Sequence, residues 1–144
     1  MDVHEPNARA SAREVETALR AALRERSDVQ LALLFGSYAR GRQRPDSDVD
    51  VAVLASGANP LELAAALSLT VKREVHVVPI EQAGYPLLRE LLRDSIVVHE
   101  GRPGAAADWR TSAILTTDLD RPWYERMRDA YLERLAKGGG LSGG

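Results

Sequence analysis

Cysteine is absent from the 144 residues, which excludes disulfides and thiolate metal sites. Histidine is scarce: His4, His76 and His99 show no metal-ligand spacing, which argues against a zinc site. Neither sign of charge dominates. Nineteen Lys and Arg face 21 Asp and Glu, a net charge of −2, with the two signs mixed along the chain. No nucleic-acid footprint results, which argues against nucleic acid as a partner. No apolar run approaches the roughly 20 residues needed to span a bilayer, and the polar start MDVHEPNARA does not read as a signal peptide. A cytoplasmic protein without membrane contact is expected. Internal repeats are lacking too. A chain of this length suits one domain with a modest core.

What is present alternates between strand and helix patterns. Ser11 to Glu14 reads as a capping box opening a helix over 12–26, with Val15, Leu19 and Leu23 as its buried stripe. Val29 to Phe35 is a first strand and Asp48 to Leu54 a second. Asn59 then caps a helix that carries Pro60 at its first position. Arg73 to Ile80 is a third strand, Gly84-Tyr85-Pro86 opens a third helix, and Ser95 to His99 is a fourth strand. Residues 104–108 read as a linker. A helix starts at Trp109, Asp118 to Pro122 interrupts it, and a last helix runs from Pro122 to Lys137. The pattern predicts an α/β (α+β) fold: a small mixed sheet with helices packed on one face, plus a C-terminal helix. It divides into a core over 1–104, a helical extension over 105–137 and a flexible tail over 138–144.

The chain is organised around GSYARGRQRPDSDVDV, Gly36 to Val51. An apolar run delivers the chain into Gly36-Ser37; ten residues later come Asp48 and Asp50, separated by Val49. Strand alternation puts both carboxylates on one face and Val49, Val51 and Val53 on the other. Asp is depleted in strands, and adjacent carboxylates repel unless a cation lies between them. Hard divalent ions such as Mg²⁺ take carboxylate oxygens together with substrate phosphates. A Gly-Ser turn offers a phosphate chain close backbone approach, free N–H donors and a hydroxyl. These parts describe a site for a metal-bound nucleoside triphosphate.

Gly-Ser, ten residues and Asp-x-Asp resemble the signature of the minimal nucleotidyltransferase (MNT) family, in the polymerase-β-like nucleotidyltransferase superfamily. The likeness covers the motif and, loosely, the element order from Ser11 to His99. It implies that Gly36 and Ser37 grip the β- and γ-phosphates, that Asp48 and Asp50 hold one or two Mg²⁺, and that ATP is the substrate. Arg40 matches the GS-x-x-RG form as a phosphate or substrate contact, and Ser47 joins the nucleotide-binding set. Arg42 and Arg44 read as solvated loop charges.

The family usually sets a third acid on the third strand, and here His76 takes that position. Glu74 shares its face but lies two residues, about 6.6 Å, further along. His76 serves as base or nitrogen ligand, or Glu74 reaches in, or the catalytic metal is poorly held and turnover is slow. Trp123, Met127, Tyr131 and Leu135 recur at four-residue spacing in the last helix. Such a stripe suits the domain's own core and a partner surface equally.

Stand-alone MNT proteins resemble the antitoxins of toxin–antitoxin pairs, and the resemblance implies a HEPN-domain toxin as partner, silenced by AMP added to a tyrosine. A non-catalytic antitoxin acting by contact is the alternative from another class. A small-molecule transferase resembling aminoglycoside-modifying enzymes is the third, although those carry a larger second domain. Self-association into a homo-oligomer is compatible with each.

Overall fold

A computed structural model describes residues 8–142, with side chains over 12–118 and 121–137. Val29–Phe35 (VQLALLF) is apolar on both sides and forms a central strand, β1. It pairs antiparallel with β2 (Val49–Ala55) on one side and with β4 (Ile96–Glu100) on the other. A third strand, β3 (Val75–Pro79), lies parallel to β2 at the edge, so the order is β3-β2-β1-β4. The mixed four-strand sheet expected from the sequence is present. Strand boundaries differ by one or two residues: Asp48 stands just ahead of β2, and Glu74 just ahead of β3.

The first helix, α1 (Ala8–Arg24), starts earlier than expected, so Ser11 lies inside it and the expected capping box does not open it. Ala8, Arg9 and Ala10 are strong helix formers and extend it by a turn. It also stops short of Arg26, whose guanidinium instead binds Asp28 at 3.1 Å and Glu62 at 3.0 Å. The next helix, α2 (Pro60–Val71), begins as its sequence predicts. Asn59 Oδ1 accepts from the N–H of Leu61 and of Glu62, and Pro60 sits in the first turn. These two helices close one face of the sheet. Val15, Leu19 and Leu23 of α1 and Leu63 and Leu67 of α2 pack on Ala32, Leu34, Val49, Val51, Val53 and Val75.

The opposite face has a second, smaller core. Leu31, Leu33 and Ala52 meet Leu91 of α3 (Tyr85–Asp94) and Ala105, Trp109 and Ala113 of α4 (Ala105–Ser142). Helices therefore cover one face fully and the other in part. The uncovered part lies where β2 and β3 start.

The C-terminal region corrects the sequence reading. Residues 105–108 are the first turn of α4, not a linker, because the Glu100 carboxylate accepts from the Ala106 N–H at 2.8 Å and caps the helix. The interruption expected at Asp118 to Pro122 is absent too, and the helix continues through Pro122. Proline removes one backbone hydrogen bond and crowds the preceding turn. Contacts on both sides hold the helix across it: Trp109 and Ala113 lie in the core, and Tyr124 stacks on Tyr85 with ring centroids 4.6 Å apart. Of the tail expected at 138–144, residues 138–142 continue α4, and 143–144 lie outside the described residues. Among the described residues no helix is long and apolar enough to cross a membrane.

Candidate active site

The site begins where β1 ends. Gly36 adopts φ +79°, a left-handed conformation that turns the chain out of the sheet, and its carbonyl accepts from the Arg40 N–H at 3.2 Å. A Cβ built on Gly36 would stand 2.5 Å from Asp50 Oδ2. Only glycine lets the carboxylate lie against the backbone here. The register explains the closeness, since Asp50 pairs directly with Phe35, the residue before the turn.

Ser37 follows in the turn, its carbonyl accepting from the Arg42 N–H at 2.9 Å. The connection back to β2 is closed by Ser47, whose Oγ accepts from the Arg44 N–H at 2.7 Å. The Ser47 hydroxyl thus has a structural partner within its own loop. Arg40 leans toward α3 and pairs with Glu90 at 2.8 Å.

His76 is the register partner of Asp50 across the parallel β2–β3 pair, the position at which the third acid was expected. Its ring sits among three carboxylates. Nδ1 is 3.7 Å from Asp50 Oδ1; Nε2 is 3.7 Å from Asp48 Oδ2 and 3.0 Å from Glu74 Oε2. Asp48, Asp50, Glu74 and His76, four of the eight candidate site residues, are therefore brought together on the open part of the face. Glu74 spans the two-residue offset with its longer side chain. The hydrogen bond to Glu74, then the charges of Asp48 and Asp50, raise the His76 pKa above its usual 6.5 against the opposing effect of burial. Asp50 is pushed above the ordinary carboxylate range chiefly by desolvation, with Asp48 and Glu90 adding repulsion and His76 and Arg40 opposing it.

When protonated, the imidazole supplies positive charge among the clustered carboxylates. Ligand atoms of Asp48, Glu74 and His76 lie within 4.8 Å of one another, and Asp50 borders the same ring. A donor set dominated by carboxylate oxygen fits a hard divalent ion.

Three neighbours escaped the sequence reading. Tyr38, next after Ser37, is buried, its hydroxyl without a hydrogen-bond partner among the described residues, and the Arg73 guanidinium lies 5.8 Å from its ring centroid. Its place beside Gly-Ser was the one available signal. Arg73 also donates to the Pro45 carbonyl at 3.0 Å and ties the loop to the approach of β3. With Lys72 it borders a shallow cleft of about 240 Å³ that also touches Ser47, Asp48 and Glu74. Glu90 comes from α3, and nothing local in the sequence links it to Arg40.

The model of the polymerase beta nucleotidyltransferase family matches residues 17–103. Among curated proteins none matches the chain. Several solved structures share its fold. One, a toxin–antitoxin with AMP-PNP, is 24% identical with a TM-score of 0.66, covering 81% of this chain and 98% of that one. The toxin–antitoxin MntA-HpeT, in a variant with two aspartates two positions apart changed to glutamate, is 23% identical with a TM-score of 0.65; the match covers 81% and 98%. A third, the tri-AMPylated Shewanella oneidensis HEPN toxin in complex with MNT antitoxin, is 21% identical with a TM-score of 0.61 and coverage of 83% and 98%.

Proposed function

This chain belongs to the polymerase beta nucleotidyltransferase family, and we propose on that footing that it transfers AMP from ATP to a protein hydroxyl. The acceptor is a tyrosine of a HEPN-type toxin, for which the chain acts as cytoplasmic antitoxin. The observation that carries the reading is the Asp50 carboxylate lying against Gly36, with Asp48 and His76 beside it. That closeness supports assigning Gly36 to the phosphates and the two aspartates to the cation. The toxin–antitoxin structures with AMP-PNP and with an AMPylated toxin support the choice of nucleotide and acceptor.

Asp48 and Asp50 would hold Mg²⁺. When bound, the ion neutralises the triphosphate and makes the acceptor hydroxyl easier to deprotonate. The chain's own part is alignment and electrostatics. The turn N–H groups at Gly36 and Ser37 would hold the phosphates, and Arg40, paired with Glu90, would stand by them. The acceptor oxygen bonds to the α-phosphorus, the bond from that phosphorus to the bridging oxygen breaks, and pyrophosphate leaves. His76 in its neutral form, or Glu74, takes the hydroxyl proton.

A second reading is favoured by one observation: a histidine occupies the position opposite Asp50. The site then binds nucleotide weakly or turns over slowly, and neutralisation comes from contact. Intact mass spectrometry separates the two, with the chain, ATP and Mg²⁺ incubated with the protein encoded beside it. AMP added to that protein, reduced about 10³-fold or more when Asp48 and Asp50 become alanine, is the expected result. A stable complex with no added mass would leave contact as the mode of action.

A further inference from the structure

The helix α4 leaves the body of the domain carrying an apolar face that nothing in the described chain covers. Ala105, Trp109 and Ala113 face the second core, and Thr117 continues their stripe. Trp123, Met127, Tyr131 and Leu135 repeat the same positions about five turns later at 3.6 residues per turn. The core-facing stripe therefore runs on past Pro122 without a core beneath it. Trp123 is 58% exposed and Tyr131 57%, and from Arg126 to Lys137 every side chain is exposed. Isolated exposed apolar residues need no explanation, but a continuous stripe of Trp, Met, Tyr and Leu does.

The charges around the stripe are sorted. At about 100° per residue, Arg126, Arg128, Arg134 and Lys137 flank the apolar face, Glu125 and Asp129 point to the opposite side of the helix, and Glu133 lies beside Arg126 and Lys137. Two of the acids still reach back to their basic neighbours at exposed positions: Asp129 is 3.2 Å from Arg128, and Glu133 is 3.6 Å from Lys137. Exposed pairs of this kind hold little energy and yield to a better partner. A twofold pairing of this face with a second copy would set the four basic residues against themselves.

We propose that the Trp123–Met127–Tyr131–Leu135 face of α4 docks a partner protein whose complementary surface is an apolar strip bordered by carboxylates. The identity of the partner rests on the proposed function: it is the protein that receives AMP. Docking on α4 holds the acceptor by a surface separate from the Asp48–Asp50 site. Aromatic, Met and Arg side chains are those that interfaces concentrate.

The test is the affinity of the full-length chain for the protein encoded beside it, by titration calorimetry, with the size of the chain alone measured by light scattering. Replacing Met127 and Tyr131 by Asp is expected to weaken binding about 10²-fold or more. Reversing Arg126 and Arg134 to Glu is expected to weaken it about 10-fold and to flatten its salt dependence. All substituted residues are exposed, so circular dichroism and the unfolding midpoint should match the unsubstituted chain. Binding unchanged by both variants overturns the proposal, as does the absence of any complex. A dimer of the chain alone that the Met127/Tyr131 variant dissociates overturns it in favour of a second copy. Failure of AMP transfer with binding still sensitive to α4 would sink the catalytic reading and leave this inference standing.

Discussion

On one face of β2, Val49, Val51 and Val53 point into a core sealed by Leu19 and Leu23 of α1 and Leu63 and Leu67 of α2. On the other face the strand is divided: Ala52 and Leu54 are covered by the second core, whereas Asp50, with Asp48 just before it, is not. One alternation thus serves two purposes, and the change from carboxylate to aliphatic along the strand marks where the cover stops. The closed face should hold stability and the open end should hold activity. Substitutions that cross this division test it.

The largest effect on stability is expected from Leu19→Ala. This side chain has no solvent exposure and lies between α1 and the sheet. Its loss should cost about 2–5 kcal/mol, read from the midpoint of chemical unfolding. Transfer per folded molecule should stay unchanged. A rate that falls in step with stability would mean the faces are coupled and the division is wrong.

Gly36→Ala comes next and strikes the open end. A non-glycine residue at φ +79° costs about 1–3 kcal/mol, and the new methyl must also displace the Asp50 carboxylate. Nucleotide binding should therefore fall far more than stability does. Gly57 supplies the control: its φ is +72° and a Cβ there meets nothing within 4 Å. Gly57→Ala should show a similar backbone cost with nucleotide binding intact. If the two variants bind nucleotide equally well, the contact between Gly36 and Asp50 has no functional weight.

Much of this division was legible in the residues, for definite reasons. Period-two alternation in β2 and the Asn59-Pro60 start of α2 are local signals, and local signals survive folding. The placement of His76 opposite Asp50 came from the family resemblance, which sets a third acid at that position of the third strand. What escaped depends on distant parts of the chain. Glu100 caps α4 from the preceding strand, and Tyr85 steadies α4 just beyond Pro122. Neither can be read from the helix sequence, so a single helix of 38 residues looked like a linker and two short helices. Glu90 reaches Arg40 across 50 positions. The stripe of Trp123, Met127, Tyr131 and Leu135 fitted core or interface equally in the sequence; all four are exposed, so it is surface.

The smallest effect concerns pH and the proton that His76 holds between its carboxylates. Raised above 6.5 by Glu74 first and then by Asp48 and Asp50, His76 contributes stability fully present below pH 6.5 and lost as pH rises through its folded pKa. Asp50 acts in the same direction. Its folded pKa lies above 3.8, so the folded state holds the proton more tightly and stability falls as pH rises through that range. Half of the imidazole is exposed, so solvent screening limits its effect to under about 1 kcal/mol. The metal-free chain should therefore lose a little thermal stability as pH rises above 6.5, and His76→Gln should flatten that slope. Added Mg²⁺ should stabilise the chain more at the upper end, where no proton competes for the carboxylates. Leu19 is itself uncharged and packs among aliphatic side chains, so Leu19→Ala should keep the slope of the unsubstituted chain at a lower midpoint. Superimposable profiles for His76→Gln and the unsubstituted chain would show that the three carboxylates do not act on the imidazole as a group.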